Sequence, residues 1–378
     1  MRFFLLSLAF LSSSHLHAQA PSSAVPAAPA IAAKSWLLHD FDSGQTLAAS
    51  NPQQRVEPAS LTKLMTAYLV FSAIKHKKLS GDQQVKVSER AWKTEGSRMF
   101  IEPSRPVTVD ELLRGMIVQS GNDACIALAE AVSGSEEAFA EAMNREAQRL
   151  GMKNTHYANS TGLPHPQHYS TAQDLALLAA AVIRDFPDRY PLYSQRQFRY
   201  NSITQMNRNR LLWSDPTVDG VKTGYTENAG YCLVSSARRG ERRVISVVVG
   251  ATSESARAAE SQKLLNHAFQ AYDGVRLYTA NQPVTTIRVW KGATNALKAG
   301  FVRDFHLALP KGAGDKLKAT IDSVQPLLAP VRAGQRVATL KLRLDNQPYG
   351  EFPVVALEDV PVAGILGRGW DAIRLFFQ

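Results

Sequence analysis

The segment Glu57-Pro58-Ala59-Ser60-Leu61-Thr62-Lys63 places a hydroxyl three residues before an amine. Pro58 ends an extended stretch and Ser60 opens a helical pattern running to about Lys75, which puts Lys63 on the same helix face as Ser60. A serine is a poor nucleophile until a base takes its proton, and a neutral lysine amine can take it. A serine at a helix N-terminus also has free backbone N–H groups nearby, the donors an oxyanion needs. Alone, S-x-x-K is a weak signal. Ser72-Ala73-Ile74-Lys75 repeats it, but mid-helix and running into Lys75-His76-Lys77-Lys78, a charge cluster that reads as a solvated helix end. Two further triplets keep Ser60 company: Ser120-Gly121-Asn122 between two helical patterns, and Lys222-Thr223-Gly224 just before a strand-rich stretch. Taken singly they are a helix cap and a strand-edge turn. Taken together and in this order, S-x-x-K, S-x-N and K-T-G form one constellation for acyl transfer through a serine.

These residues need a frame. Ser35–Phe41, the turn Asp42-Ser43-Gly44 and Gln45–Ala49 read as a β-hairpin. Helical patterns follow at Val109–Val118, Asp123–Val132, Glu136–Leu150 and Thr171–Arg184, with Asp110 and Glu111 suiting a start and Gly151 an end. The strands Gly230–Ala237 and Arg243–Val249 flank the turn Arg238–Arg242, and a helix over Ser253–Tyr272 closes the region. Hairpins from both ends thus enclose a helix-rich middle and are expected to pair in one antiparallel sheet, an α+β arrangement. From Asp273 to Val360 only short alternating runs appear, such as Leu340, Leu342 and Leu344 against Lys341 and Arg343, which predicts a small all-β sandwich. The expected organisation is residues 34–272, then 273–360, then a terminal segment 361–378.

The ends speak to location. Arg2, the apolar run Phe3–Leu11 and the small residues Ala18-Gln19-Ala20 read as a secretory signal over residues 1–20, cleaved after Ala18 or Ala20. Residues 21–33 read as a flexible Pro/Ala/Ser leader. In the last segment, Leu366, Trp370, Ile373 and Phe377 would share one face of a helix, with Arg368 and Asp371 opposite. A terminal helix docked on the body is one reading. The exported context, terminal position and bulky aromatics favour a helix lying in a membrane interface, since the segment is too short and too charged to span. Across 378 residues, 43 Lys plus Arg against 33 Asp plus Glu give a net charge of +10. The positive charge allows a polyanionic partner, but export argues against nucleic acid. Two cysteines exclude a disulfide-stapled scaffold and a Cys-rich zinc site.

The stretches EPASLTKLMTAYLV, RGMIVQSGNDACIALAE, GMKNTHYANSTGL, NRNRLLW and VDGVKTGYTENAGYCLVSSA resemble the D-alanyl-D-alanine carboxypeptidases, low-molecular-mass penicillin-binding proteins of the type 5 and 6 group. The resemblance covers essentially the whole chain. It implies a β-lactamase-like catalytic domain of helices around a five-stranded antiparallel sheet, then the β-domain and an amphipathic anchor on the periplasmic face of the bacterial inner membrane. The implied reaction removes the terminal D-alanine of peptidoglycan pentapeptides through an acyl-enzyme that water hydrolyses, with β-lactams as covalent inhibitors. Ser60 then resembles the nucleophile and Lys63 its base, its pKa pushed down by burial and by Lys222. Ser120 would relay a proton to the leaving D-alanine, and Asn122 would hold Lys63 and the substrate amide. Lys222, Thr223 and Arg208 would meet the terminal carboxylate, for which an arginine offers two hydrogen bonds, while Gly224 gives the strand room to approach. The backbone N–H groups of Ser60 and Tyr225 resemble the oxyanion hole, and Arg257 matches a further family arginine.

Some residues depart from that pattern. Tyr225 stands where many relatives carry histidine, which implies an altered substrate preference or pH response. The loop Pro164-His165-Pro166-Gln167-His168 has two histidines but no third ligand, so it reads as a surface loop, and neither metal nor cofactor is expected. A Cys125–Cys232 bridge is allowed in an oxidising compartment, but the resemblance favours Cys125 as a free, partly buried thiol beside the site. Two rival reactions remain. A β-lactamase needs a dedicated deacylating base, and the helix after Gly162 offers only Gln173 and Asp174. A D,D-endopeptidase would cut cross-links, against which the β-domain and anchor argue.

Overall fold

The computed structural model describes residues 26–364 and residue 371. The signal sequence read over 1–20 and most of the terminal helix read over 361–378 lie outside the described residues. Among the described residues, no helix is long and apolar enough to cross a membrane.

A five-stranded antiparallel sheet organises the first unit, in the order Thr46–Ser50, Ser35–Asp40, Arg242–Ala251, Gly230–Arg239, Val218–Thr226. Both faces of its inner strands are buried. Leu37, Val234, Ile245, Val247 and Val249 face the larger core, while Trp36, Leu38, Leu233, Val244 and Val248 face the second. That period-two division is why these strands read as nearly unbroken apolar runs rather than as alternating ones. Helix Glu254–Ala271 covers the second face, placing Leu264, Leu265 and Ala268 in its core. The other face carries the helical body: Lys63–Lys75, Asn122–Ser133, Glu136–Arg149 and Ala172–Asp185. Ser135, Thr171 and Ser253 cap their helices by accepting a backbone N–H three residues on. Within the stretch read as a leader, Ile31 and Ala33 pack against the second core and the Ala32 N–H donates to Glu260 Oε2.

Two expected helices differ in the turns that matter. The helix read from Ser60 begins as a 3₁₀ turn, Ala59–Thr62, and becomes α-helical only at Lys63. Ala59 has φ +47°, a left-handed conformation costly for a residue with a Cβ. The helix read over Val109–Val118 is α-helical only over Val109–Arg114, behind a Thr108/Glu111 capping box. It then widens into a π turn, Gly115–Gln119, ending on Ser120 at φ +68°. A side chain at Gly115 would collide with Met99, so that glycine lets the wide turn sit against the neighbouring loop.

The second unit is all β. A six-stranded sheet, ordered Leu317–Ser323, Arg336–Leu344, Gln347–Ala356, Ala296–Gly300, Pro283–Trp290, Leu327–Leu328, shares one core with the pair Tyr272–Tyr278 and Phe305–Pro310. Leu340, Leu342 and Leu344 are buried there, while Lys341 and Arg343 face away, as their alternation predicted.

Candidate active site

The 3₁₀ turn stacks residues three apart almost directly above one another, and it sets Lys63 over Ser60. Lys63 Nζ donates to Ser60 Oγ at 2.9 Å, to Asn122 Oδ1 at 2.8 Å and to the Thr161 carbonyl at 2.6 Å. Lys63 is 1% exposed, whereas Ser60 stays half-open to a cavity of about 590 Å³. Three acceptors match the three protons of an ammonium. A neutral amine has two protons and a lone pair, and the partner able to reverse the bond is the Ser60 hydroxyl. The geometry therefore suits passage of a proton from Ser60 Oγ to Lys63 Nζ.

A second pair faces it. Lys222 Nζ donates to Ser120 Oγ at 2.9 Å and to the Thr223 carbonyl at 3.1 Å. Burial lowers the pKa of Lys63, and the Arg208 charge lowers it further. Burial carries Lys222 well below the ordinary lysine value, with the charges of Lys63 and Arg208 adding to the effect. The two amines repel, so a proton on one disfavours a proton on the other. Asn122 is itself fixed, its Nδ2 donating to the Glu95 carbonyl at 2.7 Å. The neighbouring Asp123 accepts from the N–H groups of Met99, Phe100 and Ile101, tying one wall of the cavity to the Ser-Gly-Asn turn.

The strand Val218–Thr226 is the sheet's edge and carries Lys222, Thr223, Gly224 and Tyr225 past Ser60. A Cβ on Gly224 would lie 3.1 Å from the Pro58 carbonyl and 3.2 Å from Ser60 N, which is why a glycine stands there. Tyr225 is 51% exposed at the cavity mouth, its ring 4.4 Å from that of its cross-strand partner Tyr231. Arg208 is exposed in the cavity wall. Arg257 also lines it but is buried, its guanidinium bonded to the Gly224 and Arg208 carbonyls and to Glu254.

All ten residues singled out in the sequence line this cavity or bond to residues that do. The second S-x-x-K does not: Ser72 Oγ pairs with His76 Nδ1, Lys75 Nζ donates to the Asp185 carbonyl, and neither lines the cavity. Two readings are corrected. His165 is exposed, but His168 is buried at 3%, bonded through Nε2 to Thr62 Oγ1 at 2.8 Å. Its Nδ1 accepts from Ala158 N–H at 3.2 Å, so the proton sits on Nε2. Burial and neighbouring positive groups lower its pKa to about 4. Cys125 is wholly rather than partly buried, its pKa pushed up to about 12 by burial, and both cysteines are free thiols. Asp174 accepts from Asn154 N and Thr155 Oγ1 and does not reach Ser60. The reading of the sequence missed the Thr161 and Glu95 carbonyls, because backbone acceptors leave no side-chain signature.

An amine able to hold the proton of Ser60, with a second amine across the groove, defines a serine hydrolase that works by acyl transfer. Residues 22–253 match a family profile described as D-alanyl-D-alanine carboxypeptidase, and residues 272–362 match the C-terminal domain of penicillin-binding protein 5. The chain is 41% identical to the D-alanyl-D-alanine carboxypeptidase DacC of Escherichia coli, over 93% of this chain and 90% of that one. The fold is similar to the crystal structure of penicillin-binding protein 5 from Haemophilus influenzae, with TM-score 0.85 and 39% identity, covering 89% of this chain and 99% of that one. Over 64% of this chain it also matches penicillin-binding protein D2 of Listeria monocytogenes in its ampicillin-bound form, covering 98% of that chain, with TM-score 0.59 and 31% identity. This chain belongs to the D-alanyl-D-alanine carboxypeptidase family.

Proposed function

We propose that the protein removes the terminal D-alanine from peptidoglycan pentapeptides through an acyl-enzyme on Ser60, and that β-lactams trap the same serine. The observation that carries this reading is the buried Lys63 amine bonded to Ser60 Oγ, with its other positions taken by Asn122 and Thr161. Neutral Lys63 takes the hydroxyl proton as Oγ attacks the carbonyl of the penultimate D-alanine. The oxyanion forms against the backbone N–H groups of Ser60 and Tyr225. The proton passes to the leaving amine through Ser120, which Lys222 holds and polarises. D-Alanine departs, and water, deprotonated by Lys63, hydrolyses the ester and restores Ser60. Asn122 keeps Lys63 in place and meets the substrate amide. Arg208, Thr223 and Lys222 receive the terminal carboxylate, and Arg257 supports them by holding the Gly224 and Arg208 carbonyls.

Glu254 is the one carboxylate among the described residues lining the cavity, and both its oxygens are engaged by arginines. With no free carboxylate to activate water at the ester, slow loss of penicillin is expected, which favours the carboxypeptidase over a β-lactamase. Residues 1–20 would direct export, and residues 361–378 would hold the enzyme on the periplasmic face of the inner membrane. Mass spectrometry after incubation with benzylpenicillin and with a D-Ala-D-Ala pentapeptide tests the reaction. A long-lived adduct on Ser60 and released D-alanine are expected. An adduct elsewhere would overturn the site, and rapid penicillin turnover would favour a β-lactamase.

A further inference from the structure

The cavity that is to receive a carboxylate already contains one. Glu254 opens the helix Glu254–Ala271, directly after its cap Ser253. Its two oxygens are divided between two arginines: Oε1 accepts from Arg257 Nη2 at 3.3 Å, and Oε2 accepts from Arg210 Nη2 at 2.8 Å. The two arginines differ in setting, since the Arg257 side chain is 4% exposed and that of Arg210 is 64% exposed. Arg257 does not depend on Glu254 for its place. Its guanidinium also donates to the Gly224 and Arg208 carbonyls and lies 5.6 Å from the centre of the Tyr231 ring. What Glu254 adds is negative charge on the positive wall beside Arg208.

Resting on the carboxypeptidase reading, we propose that Glu254 is a specificity-determining residue, an internal anion that restrains the site's affinity for carboxylate-ended ligands. It offsets the Arg257 charge, leaving Arg208 as the principal clamp, and so weakens the hold on substrate and on departing D-alanine alike. Arg210 sets how far this goes. Its shorter bond draws the carboxylate outward, so losing Arg210 would turn Glu254 wholly toward Arg257. The two residues therefore act with opposite sign.

The experiment compares the parent, Glu254→Gln, Glu254→Asp and Arg210→Ala. Each is assayed with a D-Ala-D-Ala pentapeptide, with the same peptide amidated at its C-terminus, and for acylation by benzylpenicillin and its methyl ester. In Glu254→Gln, KM for the acid-ended peptide should fall by about 3- to 10-fold, the range expected for one partly exposed charge beside another. Its kcat should stay within about twofold, and the amidated peptide should be unaffected. The acid-to-ester ratio of acylation rates should rise in parallel. Glu254→Asp, which keeps the charge, should stay near the parent, and Arg210→Ala should raise KM for the acid-ended peptide. An unchanged acid-to-amide ratio in Glu254→Gln, or a KM that rises, would overturn the proposal and make Glu254 a prop for Arg257. The penicillin arm separates the two readings. If the parent is acylated but releases no D-alanine, the carboxypeptidase reading fails, while the acid-to-ester ratio still decides the role of Glu254.

Discussion

Lys63 and Lys222 are two amines in one buried site, and the fold sustains them with acceptors rather than with counter-charges. Among the described residues, neither amine has a carboxylate within ion-pair distance. Both have folded-state pKa values below the ordinary lysine value. The unfolded chain therefore binds more protons below about pH 10.4, and the two lysines cost stability as the pH falls from there toward their folded values. Lys222→Met should be more stable than the parent by about 1–3 kcal/mol at pH 7. The gain should shrink toward pH 10, and acylation should be lost; urea unfolding at both pH values and penicillin labelling check this. Lys63→Met keeps the stem but not the base, so acylation of Ser60 should slow by about 10²- to 10⁴-fold, read by stopped-flow with a chromogenic β-lactam. The sequence made this pair legible because Ser60 and Lys63 are neighbours on one turn, and the other triplets carry their chemistry in side chains. His168 was misread for the converse reason. Its contact with Thr62 spans 106 residues, and proline-rich surroundings resemble a surface loop. Its folded pKa of about 4 lies below the unfolded value, so stability should fall between about pH 6.5 and pH 4, by up to roughly 3 kcal/mol. His168→Asn should flatten that slope in thermal melts taken across the range.

The elements hold the site by close backbone approach. Gly162, at φ +86°, lies against the turn that carries Ser60: a Cβ there would sit 1.8 Å from the Ala59 carbonyl oxygen and 2.8 Å from Thr62 Oγ1. Neither the strained Ala59 nor the residues bonded to Thr62 can retreat far, so Gly162→Ala must push the loop away and break the Thr161 carbonyl's hold on Lys63. This variant should lose about 2–4 kcal/mol of stability and be acylated much more slowly; folded but normally acylated protein would show that the loop is not needed to place the lysine. The element pattern itself was largely legible, including the hairpins that meet in one sheet, the helix opened by Thr171 and the helix that ends before Gly151. The deviations were not. A 3₁₀ turn at Ala59–Thr62 and a π turn at Gly115–Gln119 lie against partners distant in sequence, the backbone of Gly162 in the first case and the side chain of Met99 in the second. Local periodicity carries no trace of such partners, and both deviations deliver a serine to the cavity.

At the scale of the molecule, the cavity and the β-unit are separate in space. Among the described residues, those lining the cavity all belong to the first unit, and the β-unit meets that unit elsewhere, through Ala308 N–H on Gln45 Oε1 and Tyr272 OH on the Leu47 carbonyl. Charge follows the same division. Residues 273–378 hold 14 Lys plus Arg against 9 Asp plus Glu, so half of the net +10 lies in the part that ends with the amphipathic segment. If that part meets an anionic membrane surface, its exposed charges act through solvent and are screened over about 10 Å at 0.1 M salt, whereas the buried Ser60–Lys63 contact is not. Raising salt from about 0.05 to 0.5 M should therefore reduce co-flotation with anionic vesicles several-fold while changing the acylation rate by less than about twofold. Deleting residues 365–378 should abolish flotation at either salt, because apolar burial supplies most of the binding, and should leave acylation of Ser60 intact. A truncated protein that still floats would move the membrane contact onto the β-unit. A full-length protein that never floats would remove the membrane from the account.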